Sequence, residues 1–365
     1  MNLTSQTSIE FVLYKYLVTI KSTINEAVCN SMYTVFVAVV LLGISLSSDS
    51  LYAQNRGTTT LSFIEIPAGA RAISMGEAFV AVADDHSSLY WNPAGMTQVR
   101  GNEAGFQHTE WFVDTKLSYA SAIIQLDKSY IGAHLYLFDG GLMDVTTLYY
   151  PDGTGEQFSV QDISLGLSYA SALTENFSIG GTLKMLQSRV WRMRASSMAL
   201  DLGFQYQTPF DRMKLGFSIS NFGGEMKLSG DNTFVRIDQD PQTSGDNDGI
   251  PADLHLKNWD LPLIFRIGLN YTAVELLDHQ LRVSTDAVYP NNNNNYVNVG
   301  MEYGYRNLIF LRGGYAHLFL PNNYGQGHLR AGIGIEISEK LQFDFAFSER
   351  GDLGSVHTLG VSVNF

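Results

Sequence analysis

Apolar and polar residues alternate through the second half of the chain in runs of about ten residues, the length of a membrane-crossing strand. Leu263, Phe265, Ile267, Leu269 and Tyr271 interleave with Ile264, Arg266, Gly268 and Asn270. Val297, Val299, Met301, Tyr303 and Tyr305 interleave with Asn298, Gly300, Glu302 and Gly304, and Leu329, Ala331, Ile333, Ile335 and Ile337 with Arg330, Gly332, Gly334 and Glu336. Side chains of a strand point alternately to opposite faces, so each run has one apolar face and one that carries glycine, amides and charges. Fourteen such segments can be traced, at about 103–111, 116–125, 129–138, 158–170, 176–187, 196–207, 212–221, 261–272, 279–288, 296–305, 308–316, 327–337, 341–348 and 356–365. Connections alternate between short ones (126–128, 173–175, 208–211, 306–307, 339–340) and generally longer ones (139–157, 188–195, 222–260, 289–295, 317–326, 349–355). One-sided loops of this kind belong to outer-membrane barrels, with short periplasmic turns and longer outer loops.

The final run sharpens that reading. Leu359, Val361, Val363 and Phe365 form its apolar face, and the chain stops on an aromatic residue. A barrel seals its sheet with its last strand, whose outward face meets lipid. The predicted fold is therefore all-β, an antiparallel transmembrane barrel of fourteen strands, with the last strand paired to the one near 103–111. An even strand number puts both termini on the periplasmic side. The other face then lines the lumen with Arg266, Arg282, Asp286, Glu302, Arg312, Arg330, Glu336 and Asp344. On a lipid face each such charge would cost about 2–4 kcal/mol at midplane. Mixed signs suit a network of satisfied charges, or a path for a charged solute.

Composition narrows the partners. A net charge of −13 opposes nucleic-acid binding, which needs clustered Lys and Arg. The 45% apolar content suits a barrel with a polar lumen. The one long apolar run, Tyr33 to Leu46, is short for a membrane helix and precedes Ala53, a residue suited to signal-peptidase cleavage. Residues 1–53 are accordingly expected to be a leader, with Met32 as an alternative start, and a bacterial outer-membrane location follows. The single cysteine, Cys29, falls within it, so no thiol chemistry is expected. Asp246-Asn247-Asp248-Gly249 resembles part of a calcium loop, although it lacks the spaced glutamate. Asp246 and Asp248 are thus weak metal candidates. No cofactor motif is found, and the scattered histidines have no nucleophile placed beside them, so no enzymatic activity is expected.

Residues 65–98 break the strand rhythm. They are rich in Gly and Ala, with Asp84-Asp85 positioned to start a helical turn and Asn92-Pro93 to end it. A fourteen-stranded barrel is too wide for its own side chains to fill, and this segment has the place and composition of a plug. Gly69-Ala70-Arg71-Ala72, Met75-Gly76-Glu77-Ala78, Ala83-Asp84-Asp85 and Tyr90-Trp91-Asn92-Pro93-Ala94-Gly95 resemble the N-terminal signature of the PorV/PorQ family of outer-membrane proteins. These are similar in fold to the FadL fatty-acid transporters. The resemblance implies a hatch over 54–100, with Gly69, Arg71, Met75, Gly76, Glu77, Asp84, Asp85, Trp91, Asn92, Pro93 and Ala94 among its residues, and a barrel over 101–365. It implies a component or cargo-shuttling partner of type IX protein secretion. Its partners would be outer-membrane lipid, a secretion translocon or secreted cargo, and the barrel-assembly machinery. The alternative it implies is a FadL-like channel for hydrophobic molecules with a hatch-gated lateral opening.

Overall fold

The structure, a computed structural model, describes residues 57–238, 249–320, 328–338 and 340–365. The expected leader and the Asp246 and Asp248 candidates lie outside the described residues. Fourteen strands make the wall: β1 Glu103–Glu110, β2 Lys116–Leu126, β3 Ser129–Asp144, β4 Gln157–Ala172, β5 Phe177–Val190, β6 Met193–Gln207, β7 Met213–Gly223, β8 Ile264–Glu275, β9 His279–Pro290, β10 Tyr296–Tyr305, β11 Ile309–Leu318, β12 Leu329–Ser338, β13 Leu341–Glu349 and β14 Ser355–Asn364. Every strand pairs antiparallel with its sequence neighbour. The ring closes where β1 meets β14 in continuous register, from Glu103 opposite Asn364 to Glu110 opposite His357. Closure removes the exposed edges that a sheet cannot present to lipid.

Burial is inverted relative to a soluble sheet. On β4, Leu165, Leu167 and Tyr169 are exposed while Ser164, Ser168 and Ala170 are buried. On β12 Leu329, Ile333 and Ile335 are exposed while Arg330 is completely buried. Apolar residues point out of the ring and polar ones into it, the arrangement that lipid selects. Leu359, Val363 and Phe365 keep this outward sense on β14, and the Phe365 amide donates to the Asn102 carbonyl at 3.0 Å. No helix among the described residues is long and apolar enough to cross a membrane.

One rim carries the turns 127–128, 173–176, 208–212, 276–278 and 306–308, with residue 340. The other carries 111–115, 145–156, 191–192, 224–238, 249–263, 291–295, 319–320 and 350–354. Two expected loops shrink. The 188–195 connection is a tight hairpin through Trp191 and Arg192, because β5 and β6 continue to Val190 and from Met193. Likewise β3 runs on to Asp144. The reason is register: alternation weakens beyond the apolar band, yet the ladder of backbone hydrogen bonds persists. Within the 224–263 connection, Phe234–Ile237 pairs with Ile250–Asp253.

β1 starts and β14 ends at the rim of short turns. Thr59 and Thr60 lie at the opposite rim, where the Thr60 amide donates to the Asp260 carbonyl at 2.9 Å. The segment between, 61–100, descends through the lumen.

Candidate functional site

The lumenal segment contains two short helices, α1 Ala70–Ser74 and α2 Ser88–Trp91, and 3-10 turns at Ser62–Glu65 and Pro93–Gln98. Asp85 Oδ1 accepts from the Ser87 amide at 2.8 Å and from the Ser87 hydroxyl at 2.6 Å, which sets the entry to α2. Asn92 is extended, as a residue before proline must be, and its side chain accepts from the Ala94 amide at 3.2 Å. Phe79, Met75, Ala72 and Trp91 pack into the segment's own apolar core. This core is too small to fold by itself, and the wall supplies the rest.

Inner-face glycines form the seat. A methyl group on Gly300 or Gly314 would collide with the backbone of Met75 and Gly76, and one on Gly216 with the Val80 carbonyl. On the other side a methyl on Gly180 would meet the Pro93 carbonyl carbon at 2.5 Å. Backbone therefore lies directly on backbone around the ring. Gly76 itself has φ +66, and a Cβ there would lie 2.5 Å from the Val299 carbonyl oxygen, so the residue has both a conformational and a steric need for glycine.

Ion pairs then fix the orientation. Arg71 donates from Nε and Nη2 to both oxygens of Glu302, at 2.7 and 2.9 Å, and from Nη1 to Asp84 at 2.6 Å. Glu302 also accepts from Arg312 Nε at 2.7 Å, Arg312 reaches Asp344 at 2.5 Å, and Arg282 reaches Asp84 at 2.9 Å. A second clamp places Glu77 3.2 Å from Arg330 Nε and 3.7 Å from Arg350. Burial pushes the Glu77 carboxyl up, but Arg330, His317 and Arg350 outweigh it and hold it down at about 2. Asp84, buried yet facing Arg71 and Arg282, is likewise held down at about 2. Asp286 provides a third grip, accepting from the amides of Phe79 and Val80 at 2.8 and 2.9 Å.

The geometry thus gathers Gly69, Arg71, Met75, Gly76, Glu77, Asp84 and Asp85 with Arg282, Asp286, Glu302, Arg312, Arg330 and Asp344. Arg266 stands apart, bonded to Ser220 at 3.0 Å and lying over the Trp91 ring. Glu336 lies near the rim of short turns, outside the clamps. Asn92 joins segment to wall by donating to the Phe204 carbonyl at 3.0 Å. Three partners escaped the sequence reading. Gln107 accepts from the Gly69 amide, Ser121 bonds His86 at 2.8 Å, and Lys184 pairs with Asp201 at 2.8 Å inside the wall. All stand on the inward face of their strands, so the alternation held the signal. Among the described residues no group of side chains is arranged to hold a metal ion. The arrangement positions a segment inside the wall.

No curated protein sequence matches this chain. In fold it is similar to the CymD monoaromatic hydrocarbon channel (TM-score 0.58, 16% identity, covering 82% of this chain and 98% of that one). It is also similar to the toluene transporter TodX of Pseudomonas putida (0.57, 17%, 82% and 98%) and to a FadL homologue of Pseudomonas aeruginosa (0.52, 13%, 82% and 98%). These likenesses give the fold, a FadL-like barrel. The family model described as type IX secretion system protein PorV matches residues 50–238. The family and these neighbours are secretion and transport proteins rather than enzymes. With more than half of its length matched to that model, this outer-membrane barrel belongs to the PorV family of type IX secretion system proteins.

Proposed function

We propose that the chain serves type IX secretion as a docking and hand-over station, receiving a secreted polypeptide and passing it to a surface partner. In this reading residues 54–100 are a hatch, short turns face the periplasm and long connections face outward, as in barrels generally. The observation that carries it is the PorV match across the lumenal segment and the first seven strands. The lumen supports it: a segment seated on glycines and clamped by buried ion pairs leaves a barrel better suited to binding than to conducting. Its partners are then membrane lipid, a translocon or cargo, and the machinery that assembles barrels.

Deletion of the gene tests this reading. Proteins bearing type IX C-terminal signal domains should accumulate in the periplasm, and an affinity-tagged chain should co-purify with translocon or cargo. Intact secretion together with no co-purifying protein would sink the proposal. The second reading, uptake of hydrophobic molecules, is favoured by the apolar cluster around Phe63, Tyr119 and Tyr136 in the lumen. It requires slower growth of the deletion strain on such a compound and a bound apolar molecule in the purified protein.

A further inference from the structure

The apolar part of the lumen holds a stretch of the chain itself. Leu61, Phe63, Ile64 and Ala68 are buried in one cluster with Leu117 and Tyr119 of β2 and Tyr136 of β3. Phe63 packs on Tyr136 with ring centroids 5.5 Å apart. The main chain of this stretch is read at every second carbonyl. Tyr90 Oη donates to Ile64 O at 3.1 Å, Tyr136 Oη to Ile66 O at 2.9 Å, and Trp91 Nε1 to Ala68 O at 2.7 Å. Alternate carbonyls and apolar side chains are what a site reads when its ligand is a peptide. A hydrocarbon offers no acceptor to three aromatic donors.

The stretch is held less firmly than the residues that follow it. Between Arg71 and Asp84 charges clamp the segment to the wall. Before Gly69 the ties to the wall and the outer connections are hydrogen bonds rather than ion pairs: Thr60 to the Asp260 carbonyl, and Asn292 to Thr59 at 2.8 Å and to the Glu65 carboxylate at 3.1 Å. Leu61 has φ 55, a left-handed conformation that costs a leucine energy. The stretch also pins the foot of the longest outer connection, because Met226 and Leu261 are buried in the same cluster and Asp260 is its hydrogen-bond partner.

We propose that the outer lumen is a peptide-binding cradle occupied in cis by Gly57–Ala68. A segment of another polypeptide, with apolar side chains and free carbonyls spaced as in Leu61–Ala68, exchanges with this strap. The exchange frees the foot of the 224–263 connection. The proposal rests on the secretion reading only for the source of that polypeptide.

The test uses purified full chain in nanodiscs and a fluorescent peptide of the strap sequence, Leu-Ser-Phe-Ile-Glu-Ile-Pro-Ala. F63A/I64A weakens the resident strap and should bind the peptide about ten-fold more tightly than the parent, since the empty cradle is more populated. Adding Tyr136→Phe should reverse much of that gain. Thr60→Pro, which removes a single donor, serves if the double variant fails to fold, and should raise amide exchange at 225–230 and 257–262. Equal binding of a scrambled peptide, no binding by either strap variant, or full displacement by decane would overturn the proposal. Peptide binding with intact secretion in the deletion strain would remove the secretion role and leave the cradle. Lost secretion without peptide binding would do the reverse.

Discussion

The wall from β8 to β13 and the wall from β2 to β6 hold the same lumenal segment by different means. The first uses charge: Glu302, Arg312, Arg282, Asp286 and Arg330 each bond it or bond a residue that does. The second uses neutral contacts, such as Ser121 with His86, Thr97 with Ser178 at 2.9 Å, and backbone against Gly180 and Gly203. Its buried ion pair, Lys184–Asp201, stays within the wall. Buried charges contribute little net stability but penalise every misplacement, because an unpaired buried charge is costly. Neutral contacts can be exchanged for others at small cost. One side therefore fixes where the segment sits, and the other holds it without charge.

The sharpest break in that comparison is Glu302→Ala. It takes the shared carboxylate from Arg71 and Arg312, which keep only Asp84, Asp85 and Asp344 between them, and should cost about 3 kcal/mol. The check is loss of the heat-resistant folded band on gels, together with labelling of a cysteine placed at Ala78. Next in size is Gly300→Ala, whose methyl meets Met75 backbone, with an expected cost of about 1–3 kcal/mol in thermal unfolding. Gly313→Ala, where nothing lies within 4 Å, is its neutral control. On the uncharged side Thr182→Val removes the 2.7 Å bond to Ser168 and should cost about 1 kcal/mol by the same assay. The smallest effect is that of mild acid. Glu77 and Asp84 are held below their ordinary values of 4.5 and 3.8, so the stability they lend is complete above those values and is lost as pH falls through about 2. The unfolding midpoint should reflect no loss from these two groups between pH 7 and pH 5, and a decline only below about pH 4. An earlier decline that Glu77→Gln abolishes would show that the clamp is not formed.

Much of the architecture was legible because lipid imposes a strict alternation. Each of the fourteen runs lies on a strand, and Arg282, Glu302 and Arg312 fall on the polar faces of theirs, where the register sets them side by side. The segment was legible as an interruption of that rhythm. Its partners were not, because a clamp such as Arg71 with Glu302 joins residues 231 positions apart. The meaning of the inner glycines was also hidden. Gly300 and Gly314 read as small residues of a polar face, and only the backbone lying on them shows why nothing larger fits. The strap Leu61–Ala68 left no periodic trace, since a short turn followed by extended chain has no repeat.

The seam between β1 and β14 sets an order of events. It joins Glu103 to Asn364, so it brings together nearly the whole length of the barrel sequence. Contacts between such distant residues form slowly. The lumenal segment touches strands all around the ring and leads directly into β1. Once the seam is made, the segment could enter only by threading through the finished ring. It must therefore be laid on the curling sheet first, and sealing the seam is the step that commits the molecule to carrying its own plug.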